Sequence, residues 1–187
     1  MTSDDGRPLI LFVCTGNICR SPAAELLLAA VAGGCAVRSA GTAGLEGRPV
    51  QPEMAVRLEA AGISTGGFAA RRLTPGLLRP AGLVLTMTRE HRAATVELWP
   101  AAVRRTFMLA ELARLLAAAP PTDHPTGPLA ERLPALAALA AAQRRQVGCD
   151  PTVDDIADPY RRGDAAYGRA YEQITRTVAV LAPLLQP

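Results

Sequence analysis

The chain has 187 residues, 49 % of them hydrophobic, with 20 basic against 17 acidic side chains and a net charge of +3. That length suits one compact domain with an ample core, and so small and evenly spread a charge, with only 4 % aromatic residues, argues against a nucleic-acid partner. No secretory leader opens the chain and no stretch reaches the roughly 18 apolar residues of a membrane span. Four cysteines (Cys14, Cys19, Cys35, Cys149) are too sparse for a disulfide scaffold or a paired zinc site, so the expectation is a cytoplasmic protein with no metal and no membrane contact.

Residues 1–7 are polar and read as a loose terminus. Leu9–Val13 is a continuous apolar run, the pattern of a strand buried on both faces of a parallel sheet. After the loop 14–20, Ser21 reads as an N-cap and Pro22 as the first residue of a helix to Ala32. Ala36–Ala40 reads as a second strand and Gly41–Gly47 as a glycine-containing loop. A helix is predicted over Pro52–Ala61, stopped by Gly62. Leu83–Met87 reads as a third buried strand, Arg89–Leu98 as a helix, Thr106–Leu109 as a short fourth strand and 110–118 as another helix. Residues 118–150 differ in character, with a Pro-rich loop followed by an Ala-rich helix from about Pro134 to Val147. They read as an insertion into a single domain spanning 1–187, either packed on the core or projecting from it. An acidic, irregular stretch, Asp150–Asp164, precedes a last helix over 165–181, whose stripe runs through Tyr167, Ala170, Tyr171, Ile174, Val178 and Leu181. Strands alternating with helices predict an α/β fold, a parallel sheet with helices on both faces.

The strongest chemical signal is Val13-Cys14-Thr15-Gly16-Asn17-Ile18-Cys19-Arg20-Ser21-Pro22. A cysteine six positions ahead of an arginine, between a strand and a helix, describes an oxyanion cradle. Loop amides and the positive helix end face a tetrahedral anion such as phosphate or sulfate. Gly16 and Asn17 tolerate the left-handed backbone of such a loop. Arg20 can grip two phosphate oxygens with its planar fork, and the same field favours the thiolate of Cys14 beneath the phosphorus. Taken alone, the cysteine would be an ordinary small core residue and the arginine a solvated charge; the spacing and placement together make them a site.

Phosphoryl transfer to a thiolate needs a proton donor for the leaving oxygen. Asp158, stiffened by Pro159, is the candidate, with Asp150, Asp154 and Asp155 as rivals on residue type alone. Asp155 reads as structural.

The loop, with Glu25 after it, Ser39-Ala40-Gly41-Thr42 and Asp158-Pro159-Tyr160, resembles the low-molecular-weight protein tyrosine phosphatase family, most closely its bacterial members associated with exopolysaccharide tyrosine kinases. The resemblance implies a three-layer sandwich whose four-stranded parallel sheet has the flavodoxin-like order 2-1-3-4. It also implies no cofactor, a phosphocysteine intermediate on Cys14, Arg20 as phosphate clamp and Asp158 as general acid. Thr15, Gly16, Asn17, Ile18, Cys19 and Ser21 then surround the substrate, with Tyr160 as an aromatic wall. Ser21 matches a serine that hydrogen-bonds the nucleophile, and Asn17 and Ser39 match a pair that holds the loop's shape. Cys19 matches a second loop cysteine able to form a reversible disulfide with the nucleophile; as a residue type it reads equally well as a small buried side chain.

Phe68 stands where many members carry a histidine that helps hold the loop asparagine, leaving that task to Ser39, Ser21 or water. Leu45 and Arg161 stand where eukaryotic members carry rim aromatics. The implied substrate is a phosphotyrosine protein, with a bacterial tyrosine kinase as one partner the family suggests. Three alternatives accompany this reading. A thiol-dependent arsenate reductase would need two further closely spaced cysteines, whereas Cys35 and Cys149 are far apart. A protein arginine phosphatase would carry Thr where Ile18 stands. A phosphate-binding module without turnover is disfavoured by the presence of Cys14, Arg20 and Asp158.

Overall fold

Four parallel strands lie in the order β2-β1-β3-β4. They are β1 (Leu9–Cys14), β2 (Ala36–Gly41), β3 (Ala81–Thr86) and β4 (Thr106–Met108). The computed structural model describes residues 6–148 and 150–186; residues 1–5 of the polar terminus and Cys149 lie outside the described residues. Every residue of β1 and β3 is buried, as continuous apolar runs require of central strands covered on both faces. One face of the sheet carries Ile10, Phe12, Leu83 and Leu85 into the larger core. The other carries Leu9, Leu11, Val13 and Val84 onto Leu73, Leu78 and Trp99.

The larger core is closed by α1 (Arg20–Val31), α2 (Pro52–Ala60), α5 (Leu109–Ala118), α6 (Leu129–Val147) and α8 (Asp164–Leu185). The short α3 (Pro75–Leu78) and α4 (Arg89–Leu98) follow the second and third strands. A 3-10 turn over Pro100–Arg105 leads into β4, and α7 (Pro151–Asp154) precedes the late acidic loop. Among the described residues, no helix is long and apolar enough to cross a membrane.

Three readings of the sequence need correction. Ser21 is not the cap of α1: the helix starts at Arg20, and its N-cap position, Cys19, has no side-chain cap bond. The Ser21 hydroxyl is engaged instead with the sulfur of Cys14. Helix α6 begins five residues before Pro134 and takes that proline within its first two turns. It packs on the core through Leu129, Leu133, Leu136, Ala137 and Ala140, so it does not project. Helix α8 continues past Leu181 to Leu185, because Leu181 and Leu185 extend the same buried stripe.

The chain from α6 onward is tied back to α5. Arg144 pairs with the buried Glu111 at 2.7 Å, and Arg114 bonds both the Gly148 carbonyl and the buried Asp154 carboxylate. These contacts set the direction in which residues 155–160 return across the carboxyl ends of the strands.

Candidate active site

Parallel strands end together at one edge of the sheet, and in open α/β sheets ligand sites form there. Cys14 is the last residue of β1 and is almost fully buried. Residues 15–19 then loop over to Arg20, the first residue of α1.

The orientation of the loop amides follows from the fate of its carbonyls. Those of Cys14, Thr15, Gly16 and Ile18 accept bonds from the amides of Thr42, Ala43, Leu45 and Gln51, at 2.9, 3.0, 3.0 and 2.8 Å. With the carbonyls turned out toward segment 42–51, the N–H groups of the loop turn inward, forming an anion-binding nest. The close approach of the two segments depends on Gly41: a Cβ there would fall 2.3 Å from the Thr15 carbonyl oxygen. Asn17 bends the loop with φ of 56°, a left-handed conformation that asparagine tolerates.

Asn17 is fully buried and anchors a directional circuit of hydrogen bonds. Its Oδ1 accepts from the Arg71 amide at 2.9 Å. Its Nδ2 donates to Ser21 Oγ at 2.9 Å and to Ser39 Oγ at 2.7 Å. Ser39 in turn donates to Glu25 Oε2. Ser21, accepting from Asn17, has its own proton free for Cys14 Sγ, 2.9 Å away, and the Asn17 amide donates to the same sulfur at 3.3 Å. Phe68 packs against the core. The Arg71 amide joins Ser39 and Ser21 in holding Asn17. Burial raises the Glu25 carboxyl above its ordinary value, partly offset by the Ser39 bond and the nearby Arg71 and Arg38.

Arg20 is 3 % exposed. Its Nη1 donates to the Ile156 carbonyl at 2.9 Å, its Nη2 lies 3.2 Å from Asp158 Oδ1, and its Nε is buried without a hydrogen-bond partner. The four acidic candidates separate by position. Asp150 caps α7 through the Thr152 amide, and Asp154 is buried against Arg114. Asp155 accepts from the Arg89 amide at 2.9 Å and pairs with its guanidinium at 3.0 Å. Asp158 alone of the four lines the pocket.

That pocket has a volume of about 270 Å³. Cys14, Thr15, Gly16, Cys19 and Arg20 form its floor, Ile18, Ala43, Leu45 and Tyr160 its walls, with Asp158 at the rim. Asn17, Ser21 and Ser39 do not line the pocket; their side chains shape the cup through the hydrogen bonds that join them. Arg161 is outside the lining, its guanidinium over the Tyr160 ring at 5.1 Å. Cys19 is a free thiol 3.7 Å from the Tyr167 hydroxyl, and burial pushes it up to about 12. Cys35 is buried just before β2, at the opposite edge of the sheet from Cys14.

His91, which sequence reasoning missed, also reaches the cup. Its Nε2 lies 2.8 Å from Thr15 Oγ1 and its Nδ1 2.9 Å from Thr88 Oγ1. Burial, reinforced by the charge of Arg20 and opposed by Asp158, Glu90 and Asp155, lowers the imidazole to about 4. Thr88 capping α4 was a legible signal of a helix start. The bond from that helix to a loop 76 residues earlier was not.

The profile of the low molecular weight phosphotyrosine protein phosphatase family matches residues 9–117. Among curated proteins, the low molecular weight protein-tyrosine-phosphatase Etp of Escherichia coli K12 is 39 % identical over 102 residues, covering 54 % of this chain and 69 % of Etp. Among solved structures, Vibrio vulnificus Wzb in complex with benzylphosphonate superposes with a TM-score of 0.70 at 25 % identity, covering 95 % of this chain and 99 % of Wzb. The YwlE arginine phosphatase of Geobacillus stearothermophilus superposes with a TM-score of 0.69 at 28 % identity, covering 94 % of this chain and 91 % of its own.

Proposed function

The chain belongs to the low molecular weight phosphotyrosine protein phosphatase family, and on that premise we propose that it hydrolyses protein phosphotyrosine through a phosphocysteine on Cys14. The observation that carries the proposal is the convergence of Cys14, Arg20 and Asp158 on one small pocket with apolar walls.

The chemistry follows from the positions. The phosphate dianion enters the nest of inward N–H groups, and the buried Nε of Arg20, with no partner among the described residues, supplies a charged donor for one of its oxygens. The sulfur of Cys14 attacks phosphorus; the S–P bond forms as the P–O bond to the ring breaks, and Asp158 gives its proton to the departing phenolate oxygen. Asp158, now a carboxylate, takes a proton from water, whose oxygen attacks phosphorus and breaks the S–P bond. Inorganic phosphate leaves, and the Ser21 hydroxyl hydrogen-bonds the thiolate that is restored.

The walls speak for an aryl ester. Ile18, Leu45 and Tyr160 offer apolar surface to a ring, and the Vibrio relative holds benzylphosphonate, a tetrahedral oxyanion on a benzyl group. Ile18 also disfavours the arginine phosphatase reading that the Geobacillus neighbour raises, since it brings no hydroxyl to a phosphoguanidinium. The substrate class is a cytoplasmic phosphotyrosine protein, with a bacterial tyrosine kinase as the partner the family resemblance favours. We take the chain as one catalytic domain in which 118–150 is an insertion that delivers the chain to the acid loop.

Phosphotyrosine and phosphoarginine peptides compared side by side test this reading. Cys14→Ser should bind the phosphotyrosine peptide without turning it over. Turnover near that of the unsubstituted protein, or preference for phosphoarginine, would overturn the proposal.

A further inference from the structure

We propose that His91 is a positioning residue that holds the nucleophile cup in register with the acid loop, an inference that rests on the function proposed above. The cup has two flanks. On one, its carbonyls are tied to segment 42–51 by four backbone bonds. On the other, the Thr15 side chain is tied to His91 on α4.

Burial of the ring and the nearby charge of Arg20 keep the imidazole neutral, so one ring nitrogen donates and the other accepts. Both are used: Nε2 with the Thr15 hydroxyl and Nδ1 with the Thr88 hydroxyl, which also accepts from the His91 amide as the cap of α4. The two side-chain bonds fix the ring in one orientation.

The turn that carries His91 also carries the acid loop. The Met87 carbonyl accepts from the Ile156 amide at 2.8 Å. The Arg89 amide and guanidinium hold Asp155 at 2.9 and 3.0 Å, and Asp158 follows three residues after Asp155. Nucleophile and acid therefore share one support, with His91 a side-chain strut to the cup beside the Arg20 bond to the Ile156 carbonyl. The direct Arg20–Asp158 contact cannot serve this purpose during turnover, because an oxyanion in the cup competes for the same guanidinium. The His91 strut makes no use of Arg20 as a partner.

The consequence is specific. With the strut lost, the cup keeps its shape through the 42–51 flank, while Asp158 loses its placement over the leaving oxygen. The test uses His91→Phe, His91→Gln, Thr15→Val and the Phe/Val double variant, each in the full chain. Readouts are kcat/KM on aryl phosphates with good and poor leaving groups, and affinity for inorganic phosphate by calorimetry.

His91→Phe and Thr15→Val should each lower kcat/KM on phosphotyrosine by roughly ten- to a hundredfold, the range expected of about an ångström of misplacement. The loss should be smaller for an activated aryl phosphate, and phosphate affinity should stay within about threefold. The double variant should be no worse than the worse single, and His91→Gln, which keeps an acceptor, should recover part of the loss.

Unchanged kcat/KM in His91→Phe and Thr15→Val would overturn the proposal. So would losses that multiply in the double variant, or a leaving-group-independent loss matched by lost phosphate affinity. Should His91→Phe fail to fold, Thr15→Val and His91→Gln carry the same comparison. An unsubstituted protein that turns over no aryl phosphate would overturn the function as well, which separates that failure from a failure of the strut alone.

Discussion

Arg20 and Asp158 form an ion pair with Nη2 and Oδ1 3.2 Å apart, the arginine buried and the aspartate half-exposed at the pocket rim. The two groups have opposite relations to a phosphate dianion: one attracts it and the other repels it. Removing the carboxylate with Asp158→Ala frees the guanidinium and deletes a negative charge beside the oxyanion site. Inorganic phosphate should bind a few-fold more tightly, while kcat/KM on phosphotyrosine falls by about 10²–10⁴, the usual worth of a general acid. An activated aryl phosphate should lose far less. Calorimetry and a leaving-group series check this; equal losses across the series would remove Asp158 from the acid role.

Ser21 is expected to matter through the sulfur. Its hydroxyl accepts from Asn17 at 2.9 Å, which directs its own proton to Cys14 Sγ, also 2.9 Å away. A hydrogen bond to a charged group is worth about 1.5–3 kcal/mol, so Ser21→Ala should lower kcat by about ten- to a hundredfold. The sulfur must leave as thiolate when phosphocysteine is hydrolysed, and single-turnover kinetics should place the loss in that step. A kcat within about twofold of the unsubstituted protein would assign Ser21 to packing alone.

The loop from Cys14 to Arg20 was legible because its chemistry is written in contiguous residues. The strands were legible because burial on both faces writes an uninterrupted apolar run, as in Leu9–Val13. Asp158 was separable from Asp150, Asp154 and Asp155 in sequence only through the family's motif; in the fold, their separate partners Thr152, Arg114 and Arg89 do the separating. His91 was illegible because its partner Thr15, although inside the loop motif, is 76 residues away and His91 itself carries no motif. The start of α6 was misplaced because Pro134 read as a boundary, whereas the helix runs through it from Leu129 and gives up the one i→i−4 bond that a proline cannot make.

Glu25 is expected to weaken the fold as pH rises. Burial raises its folded value above the ordinary carboxylate one, so the unfolded chain releases the proton first. The folded state then binds more protons between the two values, and stability falls with rising pH until the folded carboxyl has also ionised. Glu25→Gln keeps an oxygen to accept from Ser39 and removes the buried charge. Urea denaturation should show a higher stability for the variant near neutral pH and a flatter profile above about pH 4.5. Lower stability at neutral pH would mean that the charge itself, through Ser39 or Arg71, holds the site together.

His91 gives the opposite slope. Its folded value is lowered to about 4 from an ordinary 6.5, so between those values the unfolded chain binds the proton that the folded chain refuses. Its contribution is complete above about pH 6.5 and is lost progressively as pH falls toward about 4. The full swing corresponds to about 3 kcal/mol at most, taking about 1.4 kcal/mol per pKa unit. Burial is the main cause of this lowering; of the charges that face the ring, Arg20 from α1 adds to the cost of protonation, while Asp158, Glu90 and Asp155 reduce it. Carboxylates titrate at the low end of the same window, so the informative quantity is a difference between proteins. The unsubstituted chain should lose more stability than His91→Gln between about pH 7 and about pH 5, measured by urea denaturation at each pH. Parallel losses in the two proteins would mean that the imidazole takes up its proton without leaving Thr15, and that the fold tolerates a charged His91 beside Arg20.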